Sequence, residues 1–344
     1  MKEHLQDLKD TQERPDAVQR AARNIAKRIG KPPSGKALVV TSQGKAEFAR
    51  EIVLALKEGG LAAYLLELPS DTRQEPAEWG PVARLIYDVA PAWGLCFFIT
   101  ASDYGFLFDV VGRPDRGVRI KSEHMYCDFC LRLPGVIRTQ SADQDEMAKF
   151  KASLLAALGV GSAASADVGL RVGLAGTPEM LNTPGAESPP IEVTAPAGTS
   201  ITLYSRRWSD HGGEVLTAPV EGRASGVIVV DGCAYSGPPR RPFRLVIEDG
   251  WVINFGDLDR SDRQQRMVYE DLTRDGNASV LAEFAIGVNP KADPGSDIME
   301  AEQARGTCHF GFGHNIEYGG TNMSSFHTDY VVRQPTIKVA AGKS

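Results

Sequence analysis

Apolar positions follow two different rhythms along this chain. Over roughly the first 160 residues, short apolar runs alternate with stretches of helical periodicity. Residues 37–41, 62–68 and 95–100 read as buried strands, and residues 46–58 place apolar side chains at helical spacing before stopping at Gly59-Gly60. Further helices are predicted over residues 16–29, ended by Pro32-Pro33, over 79–89 and over 142–158, the last closing this half. Strand–helix–strand alternation of this kind predicts a parallel sheet covered by helices.

Small and turn-forming residues dominate 160–190, which reads as a linker. Beyond it the period drops to two. Residues 191–194 and 200–205 flank a Pro-Ala-Gly turn, 226–231 form a strand, and 243–254 a hairpin through Asp249-Gly250. A helix over 262–273 precedes an apolar strand within 278–289. The expectation is an N-terminal parallel α/β domain over 1–175 and a mixed, mainly β domain over 190–344, with no internal repeat.

A length of 344 residues fits two domains, and 42% apolar with 24% charged content is ordinary for a globular protein. A net charge of −6 argues against nucleic acid or a membrane surface as partner, since either calls for a basic face. The charged N-terminus lacks the apolar core of a secretory signal, and five scattered cysteines read as free thiols, so the expected location is the cytoplasm. Cys127 and Cys130 have Cys-x-x-Cys spacing, but without a second pair they read as incidental thiols rather than a zinc knuckle. The turn over 41–45 has neither phosphate-binding glycine pattern and reads as a plain strand-to-helix connection. His124 reads as structural.

Candidate chemistry is concentrated near the C-terminus. Three of the six histidines, His309, His314 and His327, lie in one glycine-rich segment over 306–329. If the residues after His327 form a strand, His327 and Asp329 share a face. That pair is either half of a metal site or a hydrogen-bonded couple near a turn. Glu214 and Glu283 are lone charges within otherwise apolar or small-residue strands. Taken singly, each reads as a solvent-facing glutamate on an edge strand, because an unpaired buried charge is costly. Together with His309, His327 and Asp329 they supply two imidazoles and three carboxylates. That set suffices for two divalent metals sharing a bridging carboxylate, an arrangement that generates hydroxide near neutral pH and polarises a carbonyl.

Gly213–Pro219, Ala282–Asn289, Glu302 through Gly306–Gly313, and Ser325–Asp329 occur in this order. With these motifs the chain resembles the aminopeptidase T type of metalloaminopeptidase, cytoplasmic exopeptidases with co-catalytic metals. The resemblance covers the second half; the first half matches only in its α/β character. It implies Glu214, Glu283, His309, His327 and Asp329 as metal ligands, Glu283 as the bridge, Zn, Mn or Co as the metal, and a homodimer acting on a small peptide or other small molecule. Glu302, seven residues before His309, is the candidate general base or the partner of a ligand histidine. Tyrosine occupies that family's position seven residues after the histidine matching His309; here Ile316 stands there, with His314 and Tyr318 nearby but out of register. His211, His314 and Tyr318 are the candidate substrate contacts. His211 also reads as a surface-loop histidine, and Arg206 and Arg207 as solvated charge. Cys308 is discounted as a nucleophile because it points to the face opposite His309.

The chain is also similar to the mononuclear iron 2,5-dihydroxypyridine 5,6-dioxygenases, in which the position matching Glu283 is a histidine. Retention of the acidic set favours Zn, Mn or Co, while His309, His327 and Asp329 alone form a two-histidine, one-carboxylate set suited to Fe(II). A metal-free binding module is the third reading.

Overall fold

The computed structural model describes residues 15–29, 35–42, 45–68, 95–100, 121–126, 133–158 and 190–339. The helix expected over 79–89, Cys127 and Cys130, the centre of the 41–45 turn, and the linker lie outside the described residues. By chain contacts the molecule divides into two units, the first ending at Ala142 and the second beginning at Asp143.

In the first unit, helix α1 (Pro15–Ile29) precedes β1 (Lys36–Ser42), α2 (Ala46–Glu58) and β2 (Ala62–Leu68). Strands β3 (Leu95–Thr100) and β4 (Lys121–Tyr126) and helix α3 (Leu133–Gln140) follow. The four strands are parallel, in the order β2-β1-β3-β4, as the alternating pattern predicts. Phe48, Ile52 and Leu56 of α2, spaced for one helical face, pack with Ala37, Val39 and Ala63 of the sheet and with Ala21 and Ile25 of α1. The Asn24 amide donates to the carbonyls of Gln140 and Ala142, tying α1 to the end of α3.

The second unit opens with α4 (Gln144–Ala157), whose N-terminus is capped by the Asp143 carboxylate accepting from the N–H groups of Asp145 and Glu146. The sequence pattern assigns this helix to the first half, but its apolar residues Phe150, Leu154 and Leu155 pack against the second core. Its buried Lys151 donates to Asp210 and to the Gly212 carbonyl, partners that only the second unit provides.

Twelve strands then form two antiparallel sheets. The strands are β5 (Ile191–Thr194), β6 (Ser200–Leu203), β7 (Ser205–His211), β8 (Glu214–Pro219), β9 (Ser225–Val230) and β10 (Cys233–Ala234). They continue as β11 (Phe243–Glu248), β12 (Trp251–Val252), β13 (Leu281–Gly287), β14 (Thr307–Gly313), β15 (His327–Arg333) and β16 (Thr336–Val339). Helix α5 (Arg263–Leu272) precedes β13, and the short α6 (Ile298–Ala301) precedes β14. One sheet runs β12-β11-β9-β6-β5-β16, the other β10-β15-β14-β13-β8-β7.

Alternate residues of both sheets build one core. Ile201, Leu203, Ile228, Val230 and Leu245 from the first sheet cluster with Val215, Phe284, Phe310, Phe312 and Tyr330 from the second. Offset and edge-on ring pairs, such as Phe284–Phe310 at 5.2 Å and Trp208–Phe284 at 6.0 Å, fill it. Cys308 belongs to this core, where burial pushes its thiol well above the ordinary range. It therefore stays a neutral thiol on the face away from His309, as its neighbouring position predicts. Among the described residues no helix is long and apolar enough to cross a membrane.

Candidate metal centre

The face of β8, β13, β14 and β15 turned away from that core carries the chemistry. In β14, Cys308, Phe310 and Phe312 pack inward, so His309, Gly311 and Gly313 point the other way. Cross-strand pairing extends this face on both sides. Gly311 lies between Glu283 and Asp329, Gly313 opposite His327, and Gly287 opposite Glu214. A β-bulge between Leu281 and Glu283 sets the phase of β13. In a regular strand residues two apart share a face; across the bulge Leu281 stays in the core opposite Phe312 while Glu283, opposite Gly311, joins the site. Both glutamates therefore sit on interior strands and are buried, which removes the edge-strand alternative.

Gly311 lets the row converge. A methyl group there would lie 2.7 Å from Asp329 Oδ1, 2.8 Å from Glu283 Cβ and 2.9 Å from His327 Cε1. The neighbouring side chains have closed over the space a larger residue needs. The alternation His-Phe-Gly-Phe-Gly carries this information in the sequence, as an aromatic face backed by a face of small residues.

The donors form two groups that share Glu283: Glu214, Glu283 and His309, and Glu283, His327 and Asp329, with donor atoms in each group within 4.8 Å of one another. His309 Nε2 is 3.6 Å from Glu214 Oε2 and 3.5 Å from Glu283 Oε1. His327 Nε2 is 3.2 Å from Glu283 Oε2 and 3.2 Å from Asp329 Oδ1. Glu283 thus turns one carboxylate oxygen to each imidazole. The first group is closed, with the side chains of Glu214, Glu283 and His309 only 9, 4 and 2% exposed; in the second, His327 and Asp329 are 22 and 19% exposed.

The five candidate ligands all fall within these two groups. The two-histidine set drawn for Fe(II) does not form as one group, because His309 belongs to one group and Asp329 to the other, with Glu283 between them.

Burial and mutual charge set the proton inventory of the metal-free centre. For Glu283 burial is outweighed by hydrogen bonds from His309 and His327, bringing it down to about 2. Burial acts against a charged His309, yet Glu283, Glu214 and Asp329 push it up to about 10. His327, against the same opposition from burial, is held well above the ordinary range by Asp329 and Glu283. Burial lifts Glu214 to about 8, with only partial relief from His309. Glu302, buried at the end of α6, is raised well above the ordinary range by burial and then by Glu214. At neutral pH these shifts favour the protonated forms of Glu214 and His309, protons that a bound cation would displace. Glu214 Oε2 is buried without a hydrogen-bond partner, an acceptor that a cation would satisfy.

Supporting residues complete the picture. His327 Nδ1 is 2.7 Å from the His314 carbonyl, a contact that fixes the ring and aims Nε2 at Glu283 and Asp329. The Tyr318 ring lies 5.3 Å from the His327 ring. Burial first, then the charges of Glu283, Asp329, Glu214 and Glu302, keep its phenol protonated. Ile316, at the position where the resembling family has tyrosine, is 40% exposed, whereas Tyr318 two residues on is the one turned toward the centre. The His314 ring pairs with Glu317 at 2.9 Å, so its main chain rather than its imidazole serves the site. His211 is exposed at the end of β7 and belongs to neither donor group. His309 Nδ1 has no hydrogen-bond partner, so Glu302 does not orient that ring. Arg206, read from sequence as solvated, pairs with Glu221. Sequence reasoning passed over Gly311, Lys151, Glu221 and Asn315. Of these only Gly311 left a signal in the local pattern.

A scan against protein-family models finds no match, and no curated protein matches in sequence. Two solved structures share the fold. A 2,5-dihydroxypyridine dioxygenase from Pseudomonas putida KT2440 aligns with a TM-score of 0.57 at 15% identity, covering 94% of this chain and 93% of that one. Wild-type AmpT from Thermus thermophilus aligns with a TM-score of 0.59 at 12% identity, covering 94% and 95%. Both similar structures are of enzymes, an aminopeptidase and a dioxygenase.

Proposed function

We propose that the protein is a dinuclear metal-dependent hydrolase that cleaves an amide bond, most simply the N-terminal peptide bond of a small peptide. The observation that carries this reading is the placement of Glu283, with Oε1 toward His309 and Oε2 toward His327, so that two donor groups meet at one carboxylate. Imidazole and carboxylate donors without thiolate suit Zn, Mn or Co. Charge supports two cations. Glu214, Glu283, Glu302 and Asp329 provide four carboxylates around the centre, which two divalent ions neutralise and one does not.

The closed ion would be held by Glu214, Glu283 and His309, the other by Glu283, His327 and Asp329. Such a pair supplies a nucleophilic hydroxide at neutral pH and polarises the scissile carbonyl. Glu302, buried beside Glu214 and ionised once cations balance the centre, would take a proton from the attacking water and pass it to the departing amine. Tyr318, held neutral beside His327, donates a hydrogen bond to the carbonyl oxygen as charge develops there. The 22 and 19% exposure of His327 and Asp329 makes theirs the side from which substrate enters. His211 and His314 are left as rim contacts for substrate.

A ring-cleaving iron dioxygenase remains the second reading, supported by the fold shared with the Pseudomonas putida enzyme. Metal analysis decides between them. Protein reloaded with Zn, Mn or Co should hold about two ions per chain and cleave an aminoacyl anilide only when loaded. One Fe(II) per chain, with oxygen uptake on a hydroxylated N-heterocycle, would establish the second reading instead. No retention of any divalent ion would leave a metal-free binding protein.

A further inference from the structure

The loop of residues 314–326, between β14 and β15, is tied down far more firmly than a connection needs. Its base is closed by the His314 N–H donating to the Phe326 carbonyl at 2.8 Å. Inside it Asn315 is fully buried. The Asn315 side-chain oxygen accepts from the Asn322 N–H at 2.8 Å, and its main-chain oxygen accepts from the N–H groups of Tyr318 and Gly320 at 3.1 and 3.0 Å. A Cβ on Gly320 would come 2.1 Å from the Asn315 amide, so the loop folds directly onto that group.

The remaining Asn315 donor leaves the loop. Asn315 Nδ2 reaches Glu221 Oε1 at 3.1 Å, and the Thr321 N–H reaches the same oxygen at 2.7 Å. Glu221 lies just beyond β8, and its other oxygen takes Arg206. Glu221 is thus an anchor outside the loop. What the loop delivers is specific: the His314 carbonyl at His327 Nδ1 and the Tyr318 ring beside His327.

We propose that Glu221 and Asn315 act as one positioning unit, which sets the loop so that the His314 carbonyl aims His327 Nε2 into the half-open donor group. Glu221 and Asn315 belong to neither donor group, so the unit acts through the loop. The inference rests on the dinuclear reading for its metal consequences, but the orientation of His327 can be read without metal.

Titration of metal-free protein with Mn2+ is the first measurement. Glu221→Ala should weaken the His327 half about 10–100-fold while the His309 half keeps wild-type affinity. Glu221→Gln, which retains an oxygen for Asn315 and Thr321, should stay within about threefold of wild type. Unchanged affinities in Glu221→Ala, or equal weakening of both halves, would overturn the proposal. The second measurement is the proton resonance of His327 Nδ1–H in metal-free protein by NMR. It should exchange slowly in wild type and Glu221→Gln and be lost in Glu221→Ala; its persistence in Glu221→Ala overturns the positioning unit. If wild type binds no Mn2+, the dinuclear reading falls and the resonance alone decides this one. Asn315→Ala carries the same expectations should Glu221→Ala fail to fold.

Discussion

Strands β8, β13, β14 and β15 are all paired on both sides, but His327 begins β15 where the 314–326 loop enters it, with only Gly313 opposite. One half of the centre is therefore fixed by the sheet ladder, closed to water and reinforced by Lys151 pinning the β7–β8 hairpin beside Glu214. The other half is partly open and depends on a loop carbonyl for the aim of its imidazole. A rigid half suits permanent retention of a cation; a half-open one suits exchange with substrate. Glu283 is the member common to both, which makes the comparison breakable at one residue.

Glu283→Ala should have the largest effect, because it dismantles both halves at once. Metal retention should fall from about two ions per chain to near zero, beyond the roughly 10–100-fold loss expected when only a supporting partner is removed. Equilibrium dialysis against Zn2+ or Mn2+ measures it. If one ion is still held at wild-type affinity, Glu283 serves a single half and the bridge is wrong.

Gly311→Ala separates the halves. The added methyl meets Asp329 Oδ1, Glu283 Cβ and His327 Cε1 at under 3 Å, while the His309–Glu214 contact lies along the sheet beyond it. Overpacking of this kind costs about 1–3 kcal/mol. The half-open ion should be lost and the closed one kept at reduced affinity, since the methyl also presses on the shared Glu283, with a lowered Tm in the metal-free protein. Loss of both ions in a folded variant would mean the halves are not independent.

What the sequence made legible follows from where the signal lives. Strand periodicity places His327 with Asp329, whereas the lone charges of Glu214 and Glu283 read singly as solvent-facing and only together with the histidines as ligands. Those are local properties. Assignment of α4 to the wrong half shows the limit. Phe150 and Leu154 announce an apolar face but not which core receives it, and Lys151 finds its acceptors some sixty residues away. Glu221 carried no signal for the same reason, since its partners at Asn315 and Thr321 are brought to it only by the fold. The bulge at Leu281–Glu283 is another such case: period-two counting would set Leu281 and Glu283 on one face, and only the pairing with β14 shows them on two.

Acidity sharpens the comparison further. Glu283, lowered from 4.5 to about 2, stabilises the fold above pH 4.5, and that contribution is lost as pH falls toward 2. Glu214, raised from 4.5 to about 8, contributes below pH 4.5 and loses its contribution as pH rises through 8. His309, raised from 6.5 to about 10, contributes below 6.5 and loses it toward 10. The metal-free protein should therefore be most stable in mildly acid solution, near about pH 5, and its Tm should fall between pH 5 and 8. Cations in the closed half need Glu214 and His309 deprotonated, so loading should abolish that fall and raise apparent affinity about tenfold per pH unit for each proton displaced. A chelated protein whose Tm rises from pH 5 to 8 would contradict the proton inventory.

The smallest effect is expected at His314, and it tests how the open half is supported. The imidazole pairs with the largely exposed Glu317, and it accepts weakly from the Ser324 N–H at 3.4 Å. Pairs so exposed contribute about 0–1 kcal/mol. The contact that matters to His327 comes from the His314 carbonyl, which every substitution except a change of loop path preserves. His314→Ala should therefore keep both metal affinities within about twofold and leave the His327 Nδ1–H resonance in place. A higher KM with unchanged metal content would assign the ring to substrate, as its place at the rim allows. Loss of the half-open ion would mean that the ring, and not the main chain, supports His327, and the division between a sheet-built half and a loop-aimed half would have to be redrawn around that side chain.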